Sequence, residues 1–126
     1  MRIINLFFYV LMAVSLNSFA QNSKDRLILG EETARRAVKN ALSEKDYKPF
    51  YDTLIKDKET AIAVVEPILF KTYGKKNIIS ERPYECYLID GYWYICGTLP
   101  KHWDGGVFEI IMSAKDAKVL KLIHGR

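Results

Sequence analysis

Histidine is the side chain that most often moves protons or binds metals near neutral pH, and this chain has two, His102 and His124. They lie far apart, and neither has a second ligand at helical or hairpin spacing, so the residues do not make a metal site. A Gly-x-Ser-x-Gly elbow is absent, and no glycine-rich loop leads from a strand to cradle phosphate. The adjacent carboxylates Glu31 and Glu32 are explained by a helix start, where the dipole favours negative charge. Types and spacings therefore point away from catalysis and from any cofactor, and toward binding. The chemically varied stretch is Leu99-Pro100-Lys101-His102-Trp103-Asp104-Gly105-Gly106. Presented beside two glycines, His102, Trp103 and Asp104 form a candidate contact surface, since Trp is among the residues that dominate interface energetics. A second reading has Trp103 folding back to cap the open end of a sheet while the glycines turn the chain. The residues leave both open.

That loop is held by strands. Apolar residues alternate from Ile78 onward, and Asp90-Gly91 supplies the positive φ angles of a two-residue hairpin turn between strands predicted at 84–89 and 92–98. Strands at 107–113 and 119–124 follow, joined through Ala114-Lys115-Asp116-Ala117. A two-residue turn pairs Leu88 with Trp93, Cys86 with Ile95 and Glu85 with Cys96. The two cysteines then point to opposite faces and cannot join, whereas a loop one residue longer would set them opposite each other. The same register gathers Tyr84, Cys86, Leu88, Trp93 and Ile95 on a core face, and Glu85, Tyr87, Ile89, Tyr92 and Tyr94 on the other. Tyrosine tolerates half-burial and offers contact area with few rotatable bonds, which makes Tyr87, Tyr92 and Tyr94 candidate partner-binding residues.

Upstream, Ala34, Ala37, Val38, Ala41 and Leu42 recur at helical spacing and predict an amphipathic helix over 31–45. Lys48-Pro49 breaks it, and residues 50–56 are expected to form a short helical turn that packs Phe50, Tyr51 and Leu54. Asp57 is the expected N-cap of a second helix over 58–73, with Ala61, Ile62, Val65, Ile68, Leu69 and Tyr73 inward and Gly74 as its stop. Pro67 interrupts that helix, where a kink is expected.

The chain has 126 residues and a formal net charge of +4. Its lysines and arginines are dispersed rather than clustered on one aromatic-studded face, so nucleic acid is not the expected partner. Arg2, the apolar run 3–14 and Ser18-Phe19-Ala20 match a cleavable signal peptide over 1–20, cut after Ala20. The run falls short of the roughly 20 apolar residues needed to span a bilayer, so no stable membrane insertion is expected after cleavage. This places one domain, 21–126, in the periplasm or outside the cell. An oxidising compartment makes a Cys86–Cys96 disulfide a question the hairpin register must answer.

Ala61-Ile62-Ala63-Val64-Val65-Glu66 running to Tyr73-Gly74, then Arg82-Pro83-Tyr84, Tyr87-Leu88, Asp90-Gly91-Tyr92-Trp93, Gly97-Thr98-Leu99-Pro100, Gly105-Gly106-Val107 and His124-Gly125 form a series. In order and spacing, over roughly residues 59–126, it resembles the NTF2-fold immunity proteins of bacterial polymorphic toxin systems. The resemblance implies an α+β fold of the NTF2-like (cystatin-like) kind, a cone in which N-terminal helices pack on a curved, four-stranded antiparallel meander. It implies a cognate protein toxin as partner, neutralised by protein–protein contact without a cofactor, and it carries over no catalytic residue. The chain departs from the pattern at Asp116-Ala117, where Asp-Gly is expected, and at Pro67. Two other readings of such a fold remain. One is a small-molecule or peptide-binding module with Tyr84, Trp93, Trp103 and Phe108 lining a pocket. The other is an enzyme with an inward acid, for which Glu85 and Glu109 are ambiguously placed.

Overall fold

The hairpin at Asp90-Gly91 sets the frame of the molecule. In the computed structural model, which describes residues 26–125, Asp90 has φ 50° and Gly91 φ 82°, the paired positive angles of a two-residue turn. Strands β1 (Glu85–Ile89) and β2 (Tyr92–Cys96) pair antiparallel in the register read from the sequence: Leu88 with Trp93, Cys86 with Ile95, Glu85 with Cys96. Strands β3 (Phe108–Ser113) and β4 (Val119–His124) complete a sheet of order β1-β2-β3-β4. The signal peptide expected over 1–20 lies outside the described residues.

Two units, divided between Tyr47 and Lys48, are described in turn. The first contains helix α1 (Gly30–Ser43), which carries Glu31 and Glu32 in its first turn. Glu31 pairs with Arg35 and Glu32 with Arg36, each one helical turn apart. Its sequence has an apolar stripe, yet no residue of α1 is buried; Val38 and Leu42 are 59% and 84% exposed.

The second unit holds the core. Helix α2 (Lys58–Tyr73) begins where expected, with the Asp57 carboxylate accepting from the Thr60 amide at 2.7 Å. It runs through Pro67 and stops at Gly74, φ 91°. Ala61, Val65 and Leu69, spaced four residues apart, are fully buried. Ile68, expected inward, is 44% exposed. These side chains pack with Cys86, Trp93, Ile95, Phe108, Ile110 and Met112 from one face of the sheet in a single cluster. Burying a side chain such as Phe108 contributes roughly 2–3 kcal/mol.

Three local expectations are revised. After Gly74 the chain starts a further short helix, α3 (Lys75–Ser80), where alternation was read from Ile78; Ile78 is buried. Residues 50–56 form no helix. The Leu54 and Ile55 amides instead donate to the carbonyls of Lys115 and Ala114 at 3.0 and 2.8 Å. This segment takes its hydrogen bonds from a distant turn, and Phe50 is 97% exposed. Finally, Ala117 adopts the left-handed conformation, φ 63°, at the position where glycine is expected.

Candidate functional site

The sheet has one covered face and one open face. Because side chains alternate along a strand, the register that sends Trp93, Ile95, Phe108, Ile110 and Met112 into the core sends Tyr87, Tyr94, Ile111 and Lys121 out in one row across the four strands. A neighbouring row is Glu85, Cys96, Glu109 and Ile123, and Ile89, Tyr92 and Ser113 make a third nearer the hairpin turn. Tyr87 is 50% exposed, Tyr92 41% and Ile89 57%. Tyr94 is half-buried between its neighbours.

Hydrogen bonds fix the polar part of this face. Tyr87 Oη donates to Glu85 Oε1 at 2.9 Å, and Cys96 Sγ to Glu85 Oε2 at 3.3 Å. Tyr94 Oη donates to Glu109 Oε2 at 3.0 Å, and Lys121 Nζ meets Glu109 Oε1 at 2.8 Å. The Lys121 ammonium, then the Tyr94 hydroxyl, holds the Glu109 carboxyl below its usual range. The Glu85 carboxylate beside it raises the Tyr87 phenol. Cys96 first, then burial and Glu109, holds the Tyr94 phenol well above its usual range. The Glu109 carboxylate is thus an ionised acceptor, and the Tyr87 and Tyr94 phenols stay protonated near neutral pH. The face offers aromatic area edged by fixed hydrogen-bonding groups and holds no free base.

The six residues singled out in the sequence divide into two groups. Tyr87, Tyr92 and Tyr94 share the open face as expected. His102, Trp103 and Asp104 lie in the loop that leaves β2 after Cys96 and returns at Phe108, at the opposite end of the strands from Tyr92. Trp103 is 70% exposed, so it does not fold back as a cap. Its amide donates to the Pro100 carbonyl at 3.1 Å, and His102 takes φ 71°. Among the described residues no hydrogen bond joins this loop triad to the tyrosines.

A pocket lined by Tyr84, Trp93, Trp103 and Phe108 does not form. Trp93 and Phe108 are core residues, 5% and 0% exposed, and Tyr84 stacks edge-on against Phe108 at 5.1 Å between ring centroids. Glu85 and Glu109, the ambiguous acids, both face outward. The inward carboxylates are ones the sequence did not mark. Glu66 of α2 accepts from Tyr84 Oη at 2.7 Å and from Arg82 Nε at 3.1 Å, and these partners hold it ionised despite its burial. Burial, then the bond to Glu66, pushes the Tyr84 phenol up to about 12. Glu81, 2% exposed, gives Oε2 to the Phe108 amide at 2.8 Å and Oε1 to His124 Nε2 at 2.6 Å. Neither acid has an idle oxygen, and neither had a local signal, because Glu66 and Tyr84 are 18 residues apart and Glu81 and His124 are 43. Cys86 and Cys96 are buried free thiols on opposite faces, as the hairpin register requires. Among the described residues no group of acidic, histidine or cysteine side chains is arranged to hold a metal ion, and no helix is long and apolar enough to cross a membrane.

Helices on one side of an open four-stranded meander make an NTF2-like α+β fold, and residues 60–126, which span that sheet and most of α2, match the model of a family described as "NTF2 fold immunity protein". The chain belongs to this family. It is also 31% identical over 86 residues to the uncharacterized protein YhhH of Escherichia coli (strain K12), a match covering 66% of this chain and 66% of that protein, just under two thirds of its length. No solved structure matches it. Within the immunity-protein match lie the whole open face and the 99–106 loop, whereas α1 precedes it.

Proposed function

We propose that this chain neutralises a protein toxin by direct contact, and that the open face of its sheet receives the toxin. Membership in an immunity-protein family supplies the kind of activity. The observation that carries the location is the exposure of Tyr87, Tyr92 and Ile89 on the sheet face opposite the one packed against α2. Aromatic and aliphatic area ringed by satisfied polar groups is the composition of an interface centre, where desolvation supplies affinity and fixed hydrogen bonds supply specificity. The exposed Trp103, in the loop at one end of the strands, extends that surface as a candidate anchor.

We further propose that the chain acts after export, following cleavage behind Ala20, in the periplasm or outside the cell. The charge, apolar run and small-residue pattern of residues 1–20 support this. In this reading the protein does no covalent chemistry. Glu66 and Glu81 serve as acceptors that hold the fold, and inhibition follows from occlusion of the toxin.

The decisive experiment is affinity capture with residues 21–126 from the source organism's secreted fraction, paired with co-expression beside the product of the adjacent gene. Rescue of growth by the wild type but not by a folded Tyr87→Lys, Tyr92→Lys double variant supports the proposal. If no neighbouring gene product is toxic and the bait retains no protein, the proposal fails. Equal rescue by the double variant would remove the open face from it.

A further inference from the structure

Several recognisable pieces of this chain, at Pro83, Gly97-Thr98 and His124-Gly125, meet around one buried carboxylate. Glu81 follows α3 and is 2% exposed. Its carbonyl accepts from the Thr98 amide at 2.8 Å, and the Pro83 carbonyl accepts from Thr98 Oγ1 at 2.7 Å. Gly97 passes so close that a Cβ there would overlap the Glu81 side chain, which explains glycine at the exit of β2. Gly106 and Gly125 cross in backbone contact with no space for a Cβ at Gly106, and the Gly125 amide donates to the Val107 carbonyl at 3.0 Å. The Glu81 carboxylate itself spans the gap between the start of β3, through the Phe108 amide, and the end of β4, through His124.

Both ring nitrogens of His124 have oxygen partners. Nε2 sits 2.6 Å from Glu81 Oε1, and Nδ1 sits 2.7 Å from the Gly125 carbonyl oxygen. The Gly125 carbonyl oxygen only accepts, so Nδ1 must donate, and the proton between Nε2 and Glu81 Oε1 is shared by the pair. With that proton on Nε2 both ring nitrogens donate and the ring is an imidazolium facing a carboxylate. A neutral ring has one N–H. Keeping Glu81 turns a lone pair toward the Gly125 oxygen, and keeping Gly125 leaves a buried carboxylate without its counter-charge.

We propose that the Glu81–His124 pair is a pH-sensitive latch on the last strand: with His124 protonated it holds the end of β4 and the Gly106–Gly125 crossing closed, and loss of that proton opens them. Among the described residues, the nearby carboxylates are already paired. From α2 comes the Tyr73 ring, 5.0 Å from the His124 ring, and Glu66 bonded to Arg82; on the opposite face of β3 and β4, Glu109 is paired with Lys121. Glu81 is the charge that acts on His124, and it raises the imidazole above its ordinary range against the opposing effect of burial. A group so raised stabilises the closed form fully below its open-state range near 6.5, and that contribution is lost as pH rises to the closed-state value.

The test uses the unmodified chain from Gln21. Side-chain nitrogen NMR of His124 should show both nitrogens protonated at pH 6.5, with a midpoint above that value. Amide exchange at Phe108 and Gly125, corrected for intrinsic base catalysis, should lose protection by about tenfold per pH unit between about 6.5 and that midpoint, then level off. Amides of the β1–β2 hairpin should not follow. His124→Gln should show low protection at Gly125 and no such pH dependence. A His124 midpoint at or below 6.5, or Phe108 and Gly125 protection that stays level through the titration, overturns the latch. Either result leaves the toxin-binding proposal untouched.

Discussion

Trp93 Nε1 donates to the Ile55 carbonyl oxygen at 3.0 Å, inside the core and across 38 residues of chain. Together with the Leu54 and Ile55 amides bonded to the turn after β3, this ties an otherwise irregular segment to the sheet. Trp93→Phe leaves the Ile55 carbonyl unsatisfied, at a cost of about 1–3 kcal/mol, and adds a packing loss because the smaller ring leaves part of the site unfilled. A lower urea midpoint at unchanged slope would register it.

Ala117 holds φ 63° in the β3–β4 turn, with its amide donating to the Ser113 carbonyl at 2.9 Å. An L-residue is strained there and glycine is not. Ala117→Gly should therefore stabilise the domain by roughly 0.5–1 kcal/mol despite the flexibility it adds to the unfolded chain. A fall in melting temperature would contradict the strain.

Asp57 caps α2 through the Thr60 amide, and that bond holds its carboxyl below 3.8. Its contribution is present above the ordinary range and disappears as pH falls through the lower folded value. Asp57→Ala should melt at a lower temperature near neutral pH, and the two melting curves should converge in strong acid.

Both thiols are buried and, through burial first, raised above the ordinary range. Native protein should react slowly with a thiol reagent at neutral pH, and denatured protein should react promptly at two sites. A native intact mass that changes on reduction would show a disulfide and refute the opposite-face geometry.

Trp103 is mostly exposed, and its amide closes a turn onto the Pro100 carbonyl. Trp103→Ala should move stability by no more than about 0.5 kcal/mol while weakening toxin capture. A large loss of stability would return this side chain to the role of a cap.

What the sequence disclosed was local. Asp90-Gly91 dictated a turn, the turn dictated a register, and the register decided the cysteines and the tyrosine face in one step. Asp57 and Gly74 marked the ends of α2 because capping is written within a few residues. What it concealed was long-range. Residues 50–56 looked helical in isolation, but their amides are satisfied by Ala114 and Lys115. Glu66 and Glu81 carry no local signal, since Tyr84 and His124 reach them only after the sheet has formed. Ile78 fitted an alternating pattern equally well, and its burial comes from one turn of helix.

Strand order in space follows strand order along the chain. Each ribbon can add to its predecessor as a neighbour, so the meander forms by a succession of short loop closures with little entropic delay. The 43-residue closure between Glu81 and His124 is a longer one, and it needs the end of β4. Assembly that proceeds from the first hairpin outward would finish at the carboxyl end, with the final strand acting as the keystone.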